Sequence, residues 1–525
     1  MDDPAGSQKE QRLSAEAASD IGIVAKGGAV QVAGQVSQRS LLFFFTVVAG
    51  AFLGPAVYGM YRSVAQVMAI AGQLGLAGFN YAAMRWISRA RAAGNPAGVR
   101  GAARVGVAGA AVASAVVVIA LLVGADLLAE PFAGPNEDPS ELARLYRIAA
   151  PYVPLFALMQ VLRYCTQGYK TMVPSVVAGN IVQPTARFLL GLGVLIAGFT
   201  AAGLLVTLFV SAGIGAVVAG WWFRRMLTAE ERAATPTSEV GLMVRFALPQ
   251  AGASLLGIQT LGLGIIVLAA LSTNRSVGLF AVALSLQAPG TLFLGGIVNI
   301  WAPVVTDLHE SGNIERLGSL YRTINRWIAT FSFPVFGVLI LMPDFLLEVF
   351  FPRFTDAGAV VAILAVGNLF YTGTGPTGYV LSMTGRPGIN FINSAVAVAL
   401  FIALGVWLVP AHGVVGMAIV DAVVTALVNT ARVIEAKILV GVQPFGRTFF
   451  KPVVATLAGA LVLLAERALP VEGVVFEGIA IALGAVVYLS VLMALGSDPE
   501  ERHVLERIKA RAFRRGSKMG ADREE

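Results

Sequence analysis

Long apolar runs recur along almost the entire chain, at approximately 22–53, 57–84, 101–127, 145–169, 172–198, 200–225, 241–271, 276–305, 318–342, 355–383, 388–410, 413–438, 450–466 and 473–496. A helix needs about 20 apolar residues to cross a hydrocarbon core, so these runs predict an all-α, polytopic membrane protein with about fourteen transmembrane helices. Composition excludes a soluble globular chain: of 525 residues 57% are hydrophobic and 13% charged, and the mean hydropathy is +0.76.

Loop charge is an independent test of that count, because cytoplasmic loops carry an excess of Lys and Arg. Cations follow the second run (Arg85, Arg89, Arg91, Arg100, Arg104), the sixth (Arg224, Arg225, Arg232), the eighth (Arg316, Arg322, Arg326) and the twelfth (Arg432, Lys437, Arg447, Lys451), with shorter turns at Lys170 and Arg386. The intervening loops are poor in cations or acidic, notably at Asp126, Glu130, Glu137, Asp138 and Glu141 and at Glu466, Glu472 and Glu477. Arg144, Arg147, Arg275, Arg353 and Arg467 break the alternation. The pattern predicts a multi-pass protein of the cytoplasmic (plasma or inner) membrane with both termini in the cytoplasm. Residues 1–21 are polar, lack a basic segment followed by a compact apolar core, and are expected to form a short cytoplasmic tail. Residues 497–525 form a second one, whose basic end (Arg507, Lys509, Arg511, Arg514, Arg515, Lys518) either lies on anionic headgroups or simply fixes orientation.

The net charge of +7 therefore reports loop topology and is no argument for a nucleic-acid partner. The single cysteine, Cys165, excludes an intrachain disulfide, and His309, His412 and His503 lie too far apart in sequence to suggest a metal site. No cofactor is expected beyond a coupling cation or the membrane potential.

Polar residues inside the runs carry the chemistry. In the first run Gln31, Gln35, Gln38 and Arg39 share one helix face. A cation at membrane depth costs roughly 2.5 to 3.5 kcal/mol on insertion scales, so Arg39 is expected to face a wet cavity or a partner. Arg62, Gln66, Gln73 and Asn80 form a stripe on the second run, Gln160, Arg163 and Gln167 on the fourth, and Asn180, Gln183 and Arg187 on the fifth. With Arg245 opening the seventh run, the expected substrate-binding residues are Arg39, Arg62, Gln66, Arg163, Arg187 and Arg245. Guanidinium groups match phosphate oxygens with forked hydrogen bonds, and amides serve sugar hydroxyls. Each arginine also has a structural reading, snorkelling from a span end, and each amide another, gluing helices together. Asp421, on one face of the twelfth run with Thr425 and Arg432, either binds a coupling cation or forms a structural ion pair. Pro249 and Gly252, with Gln250 and Gly257, make the seventh run the expected hinge.

A weak internal repeat is visible. Val57-Tyr58-Gly59-Met60-Tyr61 after the first run is similar to Ser276-Val277-Gly278-Leu279-Phe280 after the seventh, and Gln167-Gly168-Tyr169-Lys170 occupies the place of Thr384-Gly385-Arg386-Pro387. The repeat predicts two pseudo-symmetric six-helix lobes in the same orientation, 22–225 and 241–438, joined by a cytoplasmic linker at 226–240 and followed by two extra helices at 450–496. Parallel lobes place a binding site at their interface.

These residues resemble a known family. Leu53-Gly54-Pro55-Ala56-Val57-Tyr58-Gly59, Arg245-Phe246-Ala247-Leu248-Pro249, Met383-Thr384-Gly385-Arg386 and Leu408-Val409-Pro410-Ala411-His412-Gly413-Val414-Val415-Gly416 resemble the polysaccharide-exporter branch of the multidrug/oligosaccharidyl-lipid/polysaccharide superfamily. The resemblance covers residues 22–496 and implies a Wzx-type or lipid II flippase-like transporter, moving a lipid-linked (polyprenyl-diphosphate) glycan across the membrane by alternating access. Its implied partners are that glycan, membrane lipids and glycan-assembly enzymes. Two alternatives stand beside it. A cation-coupled multidrug exporter would more often stop at twelve spans and place carboxylates in the first lobe, where the spans considered show none. A polytopic glycan-processing enzyme would carry catalytic groups in a large outer loop, whereas the loop at 128–144 is short and has no His. The chain is accordingly expected not to be an enzyme.

Overall fold

The computed structural model describes residues 4–133, 138–255, 262–468 and 473–496. Glu137, Gly257, Glu472 and the basic C-terminal tail lie outside these. Among the described residues the chain is helical and has no strand, and eleven helical stretches are long and apolar enough to cross a membrane.

The first helix, α1 (Pro4–Leu76), begins within the expected polar tail, whose Ala, Glu, Gln and Lys are good helix formers. It does not run straight. Gly54 has φ 72° and ψ 175°, outside the helical region, and Pro55 restarts the helix at the position where a missing N–H costs least. In a continuous helix Phe45 and Tyr61 would be separated by about 24 Å. Their ring centroids lie 6.1 Å apart, and Tyr58 Oη donates to Thr46 Oγ1 at 3.2 Å, so the chain doubles back at Gly54. The same happens within the 54-residue helix Pro387–Val440: Gly413 has φ 55° and ψ −133°, and Gly416 packs onto the Leu408 carbonyl. Each of these two long stretches thus supplies two antiparallel arms.

After α1 come α2 (Phe79–Ala92), α3 (Pro96–Ala129), α4 (Pro139–Ala149), α5 (Tyr152–Gln167), α6 (Val173–Val176), α7 (Gln183–Ile196) and α8 (Ala201–Met226). A short α9 (Ala229–Ala233), N-capped by a Thr228/Glu231 capping box, leads to α10 (Val240–Leu255) and α11 (Leu263–Leu271), which together occupy the expected seventh span. Next come α12 (Asn274–Glu310), α13 (Ile314–Leu341), α14 (Pro343–Phe350), α15 (Gly358–Thr374), α16 (Thr377–Met383) and α17 (Pro387–Val440). The last pair, α18 (Phe450–Arg467) and α19 (Val474–Ala494), pack on each other through Gly459 and Gly484 and lean on α13, where Tyr488 Oη donates to the Thr330 carbonyl at 2.6 Å. Small residues at such crossings let backbones approach closely in lipid. Leu457, Leu461, Val475 and Ile479 on their outer faces are exposed, as lipid-facing side chains should be.

The second arm of α1 crosses α12 where the repeat motifs meet. A Cβ on Gly59 would fall 1.7 Å from the Asn274 carbonyl oxygen, and one on Gly278 would fall 2.0 Å from that of Pro55. One offset of 219 residues carries Pro55 to Asn274 and Gly59 to Gly278, so the two contacts are exchanged by a local two-fold. The repeat read from the sequence is thus a contact of the two copies with each other.

The arginines that broke the loop alternation are mostly neutralised where they stand. Arg147 pairs with Asp126 at 2.6 Å, Arg144 with Glu141 at 3.8 Å and Arg275 with Asp356, while Arg353 donates to the Phe52 carbonyl at 3.1 Å.

Candidate functional site

The polar side chains of the early helices sort into three groups. The first is a closed brace inside one half of the bundle. Arg163 on α5 donates through Nε to the Ser175 carbonyl at 2.9 Å, through Nη1 to Gln160 Oε1 at 2.7 Å and through Nη2 to Asn180 Oδ1 at 2.8 Å. Asn180 Nδ2 in turn donates to Gln38 Oε1 at 2.7 Å, and Gln167 Nε2 to Ser175 Oγ at 2.7 Å. Gly179 makes room for this, since the Arg163 guanidinium lies where a Cβ would be. The network ties α1, α5 and the segment after α6 together, with each arginine nitrogen engaged by an oxygen of the same half.

That segment explains why one predicted stripe is split. Residues 177–182 form a π-helical turn just before Pro184, which has no N–H to give. The wider turn rotates the residues beyond it, so Asn180, Gln183 and Arg187 do not share one face: Gln183 Nε2 donates to Ser211 Oγ on α8 at 3.3 Å, while Arg187 turns to α1.

The second group surrounds Arg187. Its Nη2 donates to Tyr61 Oη, and its guanidinium carbon lies 4.8 Å from the centre of the Phe45 ring and 5.9 Å from that of Tyr61, a cation held against aromatic faces. Arg62 and Arg187 are both charge neighbours of the Tyr58 hydroxyl. Both arginines are half-buried, and among the described residues neither Nε has a hydrogen-bond partner. No carboxylate pairs with either among the described residues. Arg187, set against Tyr61 and Phe45, and Arg62, a charge neighbour of Tyr58, each keep an unengaged Nε donor and have no counter-anion among the described residues, an arrangement chemically suited to an anion.

The third group bridges the two halves. Arg39 Nη1 donates to Thr291 Oγ1 on α12 at 3.3 Å, its guanidinium lies beside Gly295, and the Gln66 amide lies against Gly262 at the start of α11. Beyond them a cavity of about 190 Å³ is lined by Gln73, Leu76, Gly78, Asn80, Tyr81, Gln160 and Tyr164. Asn80 is buried, its Oδ1 has no partner among the described residues, and Tyr81 and Tyr164 meet edge to face with centroids 5.0 Å apart.

Four expected site residues stand apart. Arg245 is exposed on α10 and has no hydrogen bond or ion pair among the described residues. Pro249 and Gly252 are exposed on the same helix, which continues through Pro249, and Gly252 faces open space. Asp421 on α17 has no cation within ion-pair distance among the described residues, so the structural ion pair expected as one of its roles is not formed here; Arg432 turns instead to Ser394 Oγ at 3.2 Å. Composition missed Tyr58, Tyr61, Phe45, Thr291, Tyr81 and Tyr164. Tyr58 and Tyr61, on either side of Gly59 and Met60 and next to Arg62, were the available signal.

Comparison with known proteins shows the family and the fold. A family model described as polysaccharide biosynthesis protein matches residues 24–309, more than half of the chain. No curated protein matches. Among solved structures, the fold is similar to the lipid II flippase MurJ in an inward closed conformation, with a TM-score of 0.69 at 12% identity over 88% of this chain and 98% of that one. It is also similar to an inward-facing multidrug resistance MATE family transporter of the MOP superfamily, with a TM-score of 0.65 at 14% identity over 78% of this chain and 98% of that one. A MOP superfamily transporter from Pyrococcus furiosus matches with a TM-score of 0.56 at 15% identity, over 80% of this chain and 95% of that one.

Proposed function

Since the chain belongs to the polysaccharide biosynthesis protein family, we propose that this multi-pass membrane protein flips a polyprenyl-diphosphate-linked oligosaccharide or polysaccharide precursor across the cytoplasmic membrane by alternating access. The observation that carries this reading is the pair Arg62 and Arg187, two uncompensated cations inside the bundle beside Tyr58 and Tyr61. Arg187 holds the diphosphate with Arg62, Arg39 senses it from across the interface, and the amides and tyrosines around Asn80 serve sugar hydroxyls. Arg163 acts as a brace, because its donors are already engaged. Both termini lie in the cytoplasm, the lobes are 22–225 and 241–438 with a linker at 226–240, and α18 and α19 are additions to a twelve-span core. The crossing at Gly59 and Gly278 then closes the outer side. Asp421 is left for a coupling cation, and Pro249 with Gly252 for the bend of the seventh span.

The test is flipping of a fluorescent polyprenyl-diphosphate oligosaccharide in proteoliposomes, comparing the intact protein with Arg39→Ala and Arg187→Ala at equal insertion. Flipping by the intact protein and its loss in both variants supports the reading. Export of organic cations against a gradient, with no flipping, replaces it with a multidrug exporter.

A further inference from the structure

Away from the interior site, a second cavity of about 390 Å³ opens where α3, α8 and α9 meet, lined by Arg100, Trp221, Arg224, Arg225, Leu227 and Arg232. Its volume is that of an ordinary small-ligand pocket, but its lining has four cations and no carboxylate. All four are exposed, and three of them are held by contacts on this surface. Arg100 Nη1 donates to the carbonyls of Arg232 and, at 3.1 Å, Ala234; Arg232 Nη2 donates to the Arg224 carbonyl at 2.9 Å; and the Arg225 guanidinium carbon lies 4.2 Å from the centre of the Trp221 ring. Arg232 thereby also covers one of the carbonyls at the C-terminus of α8, the end of a helix that would otherwise repel an anion.

Of the neighbouring carboxylates, Glu231 and Glu239 are engaged elsewhere, and Glu230, exposed on α9, is not within ion-pair distance of any of the four arginines. Glu231 is buried and faces away, 3.5 Å from Arg91 and accepting from Tyr169 Oη at 2.7 Å; burial and this carboxylate keep the tyrosine hydroxyl protonated well above its ordinary range. Glu239 accepts from Trp86 Nε1 at 3.0 Å and pairs with Arg89 at 3.3 Å. Among the described residues, then, none of the four arginines has an acidic partner. Trp221 is half exposed at the last turns of an apolar spanning helix, the level at which tryptophan marks the membrane–water interface.

We infer that this cavity binds the headgroup of an anionic phospholipid from the leaflet on that side. Arg224 and Arg225 face the phosphate, Arg100 and Arg232 shape the rim, and Trp221 with Leu227 meets the glycerol and upper acyl chain. The site is separate from the interior arginines and holds a resident lipid, not the transported one.

The test releases the full chain from nanodiscs containing equal phosphatidylglycerol and phosphatidylcholine and counts retained lipids by native mass spectrometry. The intact protein is expected to retain phosphatidylglycerol about tenfold over phosphatidylcholine, and Arg224→Gln/Arg225→Gln to lose that preference, as removal of two charges at a lipid phosphate implies. Arg144→Gln, at the opposite end and outside the cavity, should leave it unchanged. If the double variant does not insert, Arg225→Gln, whose guanidinium lies over Trp221, gives the same comparison. Equal retention by intact protein and variant overturns the inference. So does displacement of phosphatidylglycerol by millimolar inorganic phosphate, which would make the site one for a soluble anion.

Discussion

Replacing Gly59 by alanine puts a methyl group where the α12 backbone now runs. Its Cβ would lie 1.7 Å from the Asn274 carbonyl oxygen, and because that atom is backbone, no rotamer change relieves the clash. Ordinary contact requires the two helices to part by about 1.5 Å at the crossing. Overpacking of this kind costs about 1–3 kcal/mol, and if the strain exists only while the arms are crossed, it moves a two-state equilibrium toward the parted state by about 5- to 150-fold. Thr46 is a suitable reporter, being buried beneath the crossing and hydrogen-bonded to Tyr58. In Thr46→Cys protein with Cys165→Ser, a membrane-impermeant maleimide added from outside should label Thr46→Cys/Gly59→Ala several-fold faster than Thr46→Cys alone. Gly278→Ala, acting on the Pro55 carbonyl through the symmetry-related contact, should do the same, and the two together should fall short of additivity because they relieve one crossing. Unchanged labelling with an unchanged melting temperature in both single variants would refute the argument, since it would mean that the crossing yields without cost.

Arg187→Gln with Tyr61→Phe, measured as a double-mutant cycle on thermal stability, should give a coupling of about 0.5–3 kcal/mol; additivity would show that the contact is not formed in the membrane. Gly193→Ala, in α7 with nothing within 4 Å of the new methyl, should stabilise the protein by about 0.5–1 kcal/mol in the same unfolding assay. Removing the exposed Arg275–Asp356 pair by Arg275→Gln should change stability by less than about 1 kcal/mol. Hydrogen bonds from the Ser140 hydroxyl and backbone N–H hold the Asp138 carboxyl below its ordinary value, so its capping of α4 is complete above that value and is lost as pH falls through the lowered one. Hydrogen exchange of the first α4 amides should therefore quicken in acid in the intact protein and stay level over that window in Asp138→Asn.

What the sequence made legible was whatever depends on period and length. The apolar runs marked the helices, the Leu-Gly-Pro motif fell where α1 doubles back, and the similarity of Tyr58-Gly59 to Val277-Gly278 marked a repeat, though not that its two copies cross each other there. Side-chain destinations were less legible, because a stripe on an ideal helix says which residues share a face and not what the face meets. Arg163 and Arg187 look alike in sequence, yet one is saturated by Gln160, Ser175 and Asn180 while the other lies among aromatic rings. The π turn at 177–182 changed the angular register between Asn180 and Arg187, which a fixed 100° per residue does not anticipate. Arg275 and Arg353 find their partners, Asp356 and the Phe52 carbonyl, far away in the chain, and pairing of that kind leaves no local trace.

The two-fold at Gly59 and Gly278 relates backbones but not chemistry. Moving along the chain by the same 219 residues turns Tyr58 into Val277, Tyr61 into Phe280, Arg62 into Ala281 and Gln66 into Ser285. A duplicated frame has kept its pivot and stripped one copy of its polar equipment. On the proposed function, an anion held by Arg62 and Arg187 bears on one side of the two-fold only, because the second copy has Ala281 at the position of Arg62 and Phe280 at that of Tyr61. The crossing is thus paired in backbone geometry while the arginine and tyrosines beside it belong to one copy alone.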